Sequence, residues 1–269
     1  MIVRDLKTPL VPFELMINYK GKFDHHLFGA DNEETFKKNL EKLGSGWRYS
    51  TKEITYSFNS LGYRTNELDY YKDKDFVLVL GASDVSGIGV PEEEIWHHQF
   101  KKKFNLEVIN AGYGGSGTDL QLLNTVLFLK NFNRLPKAVV VYWPEPAWIT
   151  FKGDNHFLTY IPSDLPTGYF SIWNKLGKVL DFYKGWLYDN NYLNNAWMFI
   201  ESTRSIWKSH GIPYYDFTIG NDTELDIQDL NYLRVNDCHA RDFIHMGHRT
   251  HEQVGLHICN ELERLLNVR

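Results

Sequence analysis

The chain has 269 residues, 43% of them hydrophobic and 15% aromatic, enough to build one sizeable buried core. A formal net charge of −5 with no long basic stripe argues against a nucleic-acid partner, and two cysteines, Cys238 and Cys259, are too few for a disulfide framework and read as reduced thiols. No apolar run is long enough to span a bilayer, and Met1 to Lys20 lacks the continuous apolar segment of a signal peptide, so the expectation is a soluble, cytoplasmic protein without a membrane partner.

Residues 1–72 follow no regular alternation and read as an extension packed on a core that begins at residue 73. Within it Thr55 to Phe58 alternates weakly, and Asn59–Ser60–Leu61–Gly62 has turn composition. Phe76 to Gly81 is a short continuous apolar run, the pattern of a strand buried on both faces. A Gly/Ser turn follows, and Pro91 with Glu92, Glu93 and Glu94 then opens a predicted helix. The only cationic run, Lys101 to Lys103, falls at that helix's C-terminal end, where it complements the dipole.

The pattern repeats. Leu106 to Asn110 predicts a strand, Gly112 to Gly117 a turn, and Leu120, Leu123, Val126 and Leu127 one face of a helix. Ala138 to Trp143 predicts a third buried strand. An aromatic-rich insertion spans about 147–190. Beyond it come a helix from Leu193 to Lys208, a strand from Ile212 to Phe217, and a C-terminal helix marked by Val254, Ile258, Leu262 and Leu265. Strands alternating with helices over 73–269 imply an α/β three-layer sandwich with a central, mainly parallel sheet of flavodoxin-like topology. Functional groups of such sheets gather at the C-terminal ends of the strands.

Three segments sit there. Gly81–Ala82–Ser83–Asp84 places a serine directly after the first buried strand, beside free backbone N–H groups of the turn. Asn110 to Asp119 contains G-x-G-x-x-G between strand and helix. It follows the second strand of the core rather than the first, and no acid lies about twenty residues on, so it is a poor dinucleotide fingerprint. Its glycines also suit close approach of backbone to a reacting carbonyl. Asp242 and His245 lie on a loop before the last helix, where the carboxylate can fix the imidazole tautomer and the imidazole can act as a base. His239, His245, His248 and His251 are close in sequence, yet their spacing does not aim the last three at one point. No metal and no cofactor is expected.

In this order the three segments resemble the blocks of the SGNH/GDSL hydrolase superfamily. Asn59 to Arg64 followed by Glu67 resembles a segment of its alginate-acetyltransferase-like branch and of bacterial and phage relatives. The resemblance implies Ser83 as nucleophile, Asp242 and His245 completing a triad, and the backbone N–H groups of Ser83 and Gly115 as the oxyanion hole. It also implies a serine esterase that hydrolyses a small acyl ester, such as acetyl, on a small molecule or oligosaccharide. The alternatives are an O-acyltransferase acting on a sugar hydroxyl and a non-catalytic carbohydrate-binding protein; association with a virion is the expectation for a phage protein. Two positions depart from the family pattern. Ala82 replaces the Asp of Gly-Asp-Ser, and Glu145 falls about where the family has a donor Asn, leaving the Trp143 indole as a candidate replacement. Trp143, Trp148, Phe151, Tyr160, Tyr169, Phe170 and Trp173 are either a stacking platform for sugar rings or core.

Overall fold

A computed structural model of the chain describes residues 6–13, 21–23, 27–28, 31–146, 149–152, 157–160, 191–219, 230–235 and 239–267. Three short strands, β1 (Gly21–Phe23), β2 (Leu27–Phe28) and β3 (Asp31–Asn32), lead into helix α1 (Glu33–Leu43). Asn32 starts the helix by accepting the Thr35 N–H at 3.0 Å, and Glu33 and Glu34 sit at its positive end. The weakly alternating stretch becomes β4 (Tyr56–Phe58), paired antiparallel with β1. Its predicted turn closes through Gly62 N–H to Asn59 O at 3.0 Å.

The central sheet begins with β5 (Phe76–Gly81), all six residues buried. It is followed by the one-turn helix α2 (Ser83–Ser86), by α3 (Gln99–Phe104) and by β6 (Glu107–Gly112). Then come α4 (Thr118–Asn131), β7 (Ala138–Tyr142) and an antiparallel hairpin of β8 (Ile149–Lys152) and β9 (Phe157–Tyr160). Helix α5 (Asn191–Ser209), β10 (Tyr214–Ile219), β11 (Asn231–Leu233) and α6 (His248–Asn267) complete the described chain. Five strands form one wholly parallel sheet in the order β11-β10-β7-β5-β6. The chain moves from β5 outward to β6, then returns to the other side of β5 as β7. That reversal makes the C-terminal end of β5 the topological switch point.

Alternation along β5 divides the core. Phe76, Leu78 and Leu80 join a cluster with Leu120, Phe128, Ile200 and Trp207 of α4 and α5. Val77 and Val79 join another with Phe100, Val254, Ile258 and Leu262 of α3 and α6. With helices on both faces the architecture is a three-layer α/β sandwich. Leu6, Leu10, Val11 and Phe13 are buried in the first cluster, so the N-terminal stretch forms part of the same core. No helix among the described residues is long and apolar enough to cross a membrane.

Two expectations are corrected. The stretch from Pro91 to Lys103 is not one helix. It is two 3-10 turns (Glu92–Glu94 and Trp96–His98) followed by α3, because Ile95 is extended (ψ 136) between the turns. Charges along it are paired with other parts of the chain: Glu94 with Arg48 and Lys52 at 2.6 and 2.7 Å, Lys101 with Glu107 at 2.8 Å, Lys103 with Glu263 at 2.6 Å. The second correction concerns α4. Val126 is exposed, and the buried face instead carries Gln121, Asn124 and Thr125 beside Leu120, Leu127 and Phe128. These side chains are bonded: Gln121 Nε2–H donates to Ser116 Oγ at 2.9 Å, Asn124 accepts the Val11 N–H at 2.9 Å, and Thr125 accepts the Trp207 indole N–H at 3.1 Å, while Gln121 Oε1 is buried without a partner among the described residues.

Candidate active site

Ser83 is the first residue of α2, two residues past the end of β5, and is 6% exposed. Strand β5 delivers it to the switch point and α2 turns the chain back over the sheet. The second glycine segment is tied to the same strand end, since Gly81 O accepts the Tyr113 N–H at 3.1 Å and the Ser116 hydroxyl at 3.1 Å. Gly115 lies in this turn with φ +73, and neither its N–H nor that of Ser83 has an acceptor among the described residues.

Asp242 and His245 share a tight loop. Ala240 N–H bonds to His245 O at 2.9 Å, Phe243 N–H bonds to Ala240 O at 3.1 Å, and Phe243 takes a left-handed φ of 62°. This winding brings Asp242 Oδ2 to His245 Nδ1 at 2.5 Å, while Asp242 Oδ1 accepts the backbone N–H groups of Ile244 and His245 at 3.0 and 3.1 Å. Burial opposes ionisation of Asp242, but those donors hold its carboxyl below the usual aspartate range. Burial likewise opposes charge on His245, yet the bond to Asp242 and the negative charges of Asp242, Asp84 and Asp31 raise it above an ordinary histidine. With Nδ1–H facing a carboxylate, Nε2 carries the lone pair.

The loop is docked on the serine turn by Asp84, whose Oδ1 accepts the Met246 N–H at 3.2 Å. Burial raises the Asp84 carboxyl, against the charge of His245 and the Met246 bond. The Ser83 side chain makes no hydrogen bond among the described residues, so the serine and the Asp–His pair are adjacent segments rather than a closed chain of bonds.

Of the candidate third donors, the Trp143 indole is ruled out. It is fully buried and donates to Asp216 Oδ2 at 2.8 Å. Strand periodicity sends Trp143 to the face covered by α4 and α5, whereas Tyr142 goes to the face of α2. Tyr142 therefore neighbours Asp84, and its hydroxyl is pushed well up by burial and by the charges of Asp84 and Glu145. Glu145 is exposed, just past the end of β7. Residues Trp148, Phe151, Tyr160, Tyr169, Phe170 and Trp173 of the aromatic platform lie outside the residues whose side chains are described, as does Cys238. The other cysteine, Cys259, is a buried free thiol. The four clustered histidines go to separate neighbours. His239 stacks on Phe243, His245 bonds to Asp242, His248 lies near Tyr49, and His251 accepts the Trp96 N–H.

Sequence reasoning missed the groups beneath this loop. Asp31, Tyr56 and Arg241 form a buried hydrogen-bonded network, with the buried Arg64 guanidinium over the Tyr56 ring at 4.5 Å, and only their burial together in the folded chain reveals it.

No family model matches the chain, and no curated protein does. Among solved structures it is similar to an acetyl xylan esterase from the rumen bacterium Butyrivibrio proteoclasticus, at 12% identity and TM-score 0.45, over 72% of this chain and 64% of that one. It is similar to a carbohydrate acetylesterase family member from Sinorhizobium meliloti at 12% identity and TM-score 0.41, over 72% and 99%. A member of the lipolytic protein G-D-S-L family from Veillonella parvula aligns at 9% identity and TM-score 0.40, over 70% and 98%. The chain thus spans just under two thirds of the first of these proteins and nearly all of the other two.

Proposed function

We propose that the chain is a serine esterase of the SGNH type, removing a small acyl group such as acetyl from a carbohydrate. The observation that carries this reading is the Asp242–His245 bond, on a loop docked through Asp84 onto the helix that begins at Ser83. Acetyl and carbohydrate follow from the resemblance of the three sequence segments; the geometry supports the ester chemistry.

In the proposed reaction Ser83 Oγ attacks the ester carbonyl carbon as its proton passes to His245 Nε2. Asp242 holds the imidazole by Nδ1 and stabilises the imidazolium. The oxyanion faces the N–H groups of Ser83 and Gly115. The C–O bond to the alcohol breaks, and the imidazolium returns its proton to the departing oxygen. Water then attacks the acyl-serine, giving a proton to His245, and the acid leaves as Ser83 regains its hydrogen. An incoming sugar hydroxyl in place of water would make the same groups an O-acyltransferase.

The test is hydrolysis of an aryl acetate and of acetylated oligosaccharides by the wild type, Ser83→Ala and His245→Ala. Each substitution is expected to lower kcat at least about 10³-fold, and a fluorophosphonate should label the wild type but not Ser83→Ala. Turnover unaffected by either substitution would overturn the assignment.

A further inference from the structure

We propose that Asp31 is a positioning residue for the Asp242–His245 pair, acting through Arg241, so that the segment ahead of the sheet is a working part of the site. This rests on the serine-esterase reading. Asp31 ends up 1% exposed and Arg241 fully buried, and the two meet across 210 residues of sequence. Both carboxylate oxygens are used: Oδ1 accepts Arg241 Nε–H at 2.7 Å and Oδ2 accepts Nη2–H at 2.5 Å. Oδ2 also accepts the Tyr56 hydroxyl. That hydroxyl in turn accepts the Gly89 N–H at 2.9 Å.

Arg241 immediately precedes Asp242, and the network holds its backbone as well as its guanidinium. Its N–H bonds to Gly89 O at 3.0 Å, and its carbonyl accepts Asn39 Nδ2–H of α1 at 3.0 Å. Gly89 (φ +79) packs so closely that a Cβ there would lie 3.3 Å from Asp242 Oδ1 and 2.7 Å from Ala240 Cβ. Other groups of the same segment bear on the loop. Phe36 lies 5.7 Å from the Arg241 guanidinium, and the Trp47 ring and Lys42 ammonium lie 6.1 and 5.8 Å from the Phe243 ring.

A fully buried ion pair is a poor device for stability alone, because desolvation offsets most of the attraction. What a bidentate carboxylate–guanidinium fork supplies is fixed geometry. Here the fixed object is the peptide that enters Asp242, in a loop that already holds Phe243 in a left-handed conformation. Groups that act on a reacting centre lose about 10²-fold from displacements near 1 Å, so anchoring this peptide controls turnover without touching substrate.

The test is Asp31→Asn in the full chain, which keeps shape and removes the charge, beside Tyr56→Phe, which removes only one bond of the network. Turnover is counted per serine titrated with a fluorophosphonate, so loss of folded protein does not register. The expected result for Asp31→Asn is a kcat on aryl acetate lower by about 10-fold to 10²-fold with KM little changed. Tyr56→Phe should give a smaller fall in the same direction. The acid limb of the pH profile should move to lower pH, since the negative charges of Asp242, Asp84 and Asp31 all raise His245 and one of them is removed. The deshielded proton resonance of His245 Nδ1–H should shift or broaden in both variants. Wild-type kcat per titrated serine with an unmoved profile and resonance, in whichever variant folds, would overturn the proposal. Full activity in Ser83→Ala would instead overturn the esterase reading itself, so the two failures are distinct.

Discussion

At the residue scale the site is governed by the carboxylates that surround one imidazole. Asp242 is bonded to His245, while Asp84 faces it without a direct bond and spends Oδ1 on the Met246 N–H. Together with Asp31 these charges raise the His245 pKa against the effect of burial. The proposed base works only when neutral, so activity should be present above that raised pKa and lost as pH falls through it. Asp84→Asn keeps an oxygen for Met246 but removes one negative charge. The acid limb of kcat/KM should therefore move to lower pH, with little change in the plateau. A pH profile of aryl acetate hydrolysis checks this, and a limb that stays in place or moves upward would contradict it. The pairing of Asp242 with His245 was readable in the sequence because they stand three positions apart and one loop brings them together. Asp31 was not, because its partner is 210 residues away and nothing local marks a buried aspartate. The Trp143 expectation failed for a third reason. It ignored the period of two that sends neighbouring strand residues to opposite faces, and that parity assigns Tyr142 rather than Trp143 to the side of the site.

At the scale of elements, the position of Ser83 depends on how closely α2 can lie on the sheet. Gly112 ends β6 beside β5, and a Cβ there would meet Ser86 N at 2.5 Å and Val85 Cβ at 2.6 Å. Both belong to α2, and a backbone nitrogen cannot swing aside as a side-chain tip can. Gly112→Ala should thus move the whole turn that carries Ser83. Overpacking of this kind costs about 1–3 kcal/mol, and the displaced nucleophile should lose at least about 10-fold in kcat/KM. Denaturant titration and aryl acetate kinetics measure the two effects, and wild-type values for both would mean that α2 has room the structure does not give it. The buried strands were legible for the same packing reason. A strand covered on both faces needs apolar side chains at every position, and Phe76 to Leu80 has them. Strand β11 was not legible, since its three residues Asn231–Tyr232–Leu233 expose the first two and pair only along one edge of β10. The run from Pro91 to Lys103 misled because its composition suits a helix, whereas the burial of Ile95 and Trp96 against α6 breaks it into turns.

At the scale of the whole molecule, the layer behind the site is held by two neutral histidines. His97 lies on the turn before α3, and its Nε2–H faces Val85 O of α2 at 3.1 Å. His251 lies in the first turn of α6, and its Nδ1 accepts the Trp96 N–H at 3.3 Å. Together they join α2, the turn before α3 and α6, the three elements that frame the serine and the loop. Burial pushes both rings down to about 3. Because the folded pKa is below the unfolded value, near 6.5, the folded state excludes protons that the unfolded chain takes up. The stability held by these rings is complete above about pH 6.5 and drains as pH falls toward 3. For each ring the loss is about 1.4 kcal/mol per pH unit, or roughly 2 kcal/mol by pH 5. His245, with its raised pKa, works in the opposite direction, but it is one ring against two. Denaturant unfolding at pH 7.5 and pH 5.0 should accordingly show a marked drop in stability for the wild type. The pair His97→Gln and His251→Asn keeps a donor near Nε2 and an acceptor near Nδ1 while removing the titration. That double variant should be less stable at pH 7.5 yet change far less between the two values. An equally steep loss in the double variant would place the acid sensitivity elsewhere, and the joint between α2 and α6 would then have to be held by packing around Trp96 rather than by its imidazoles.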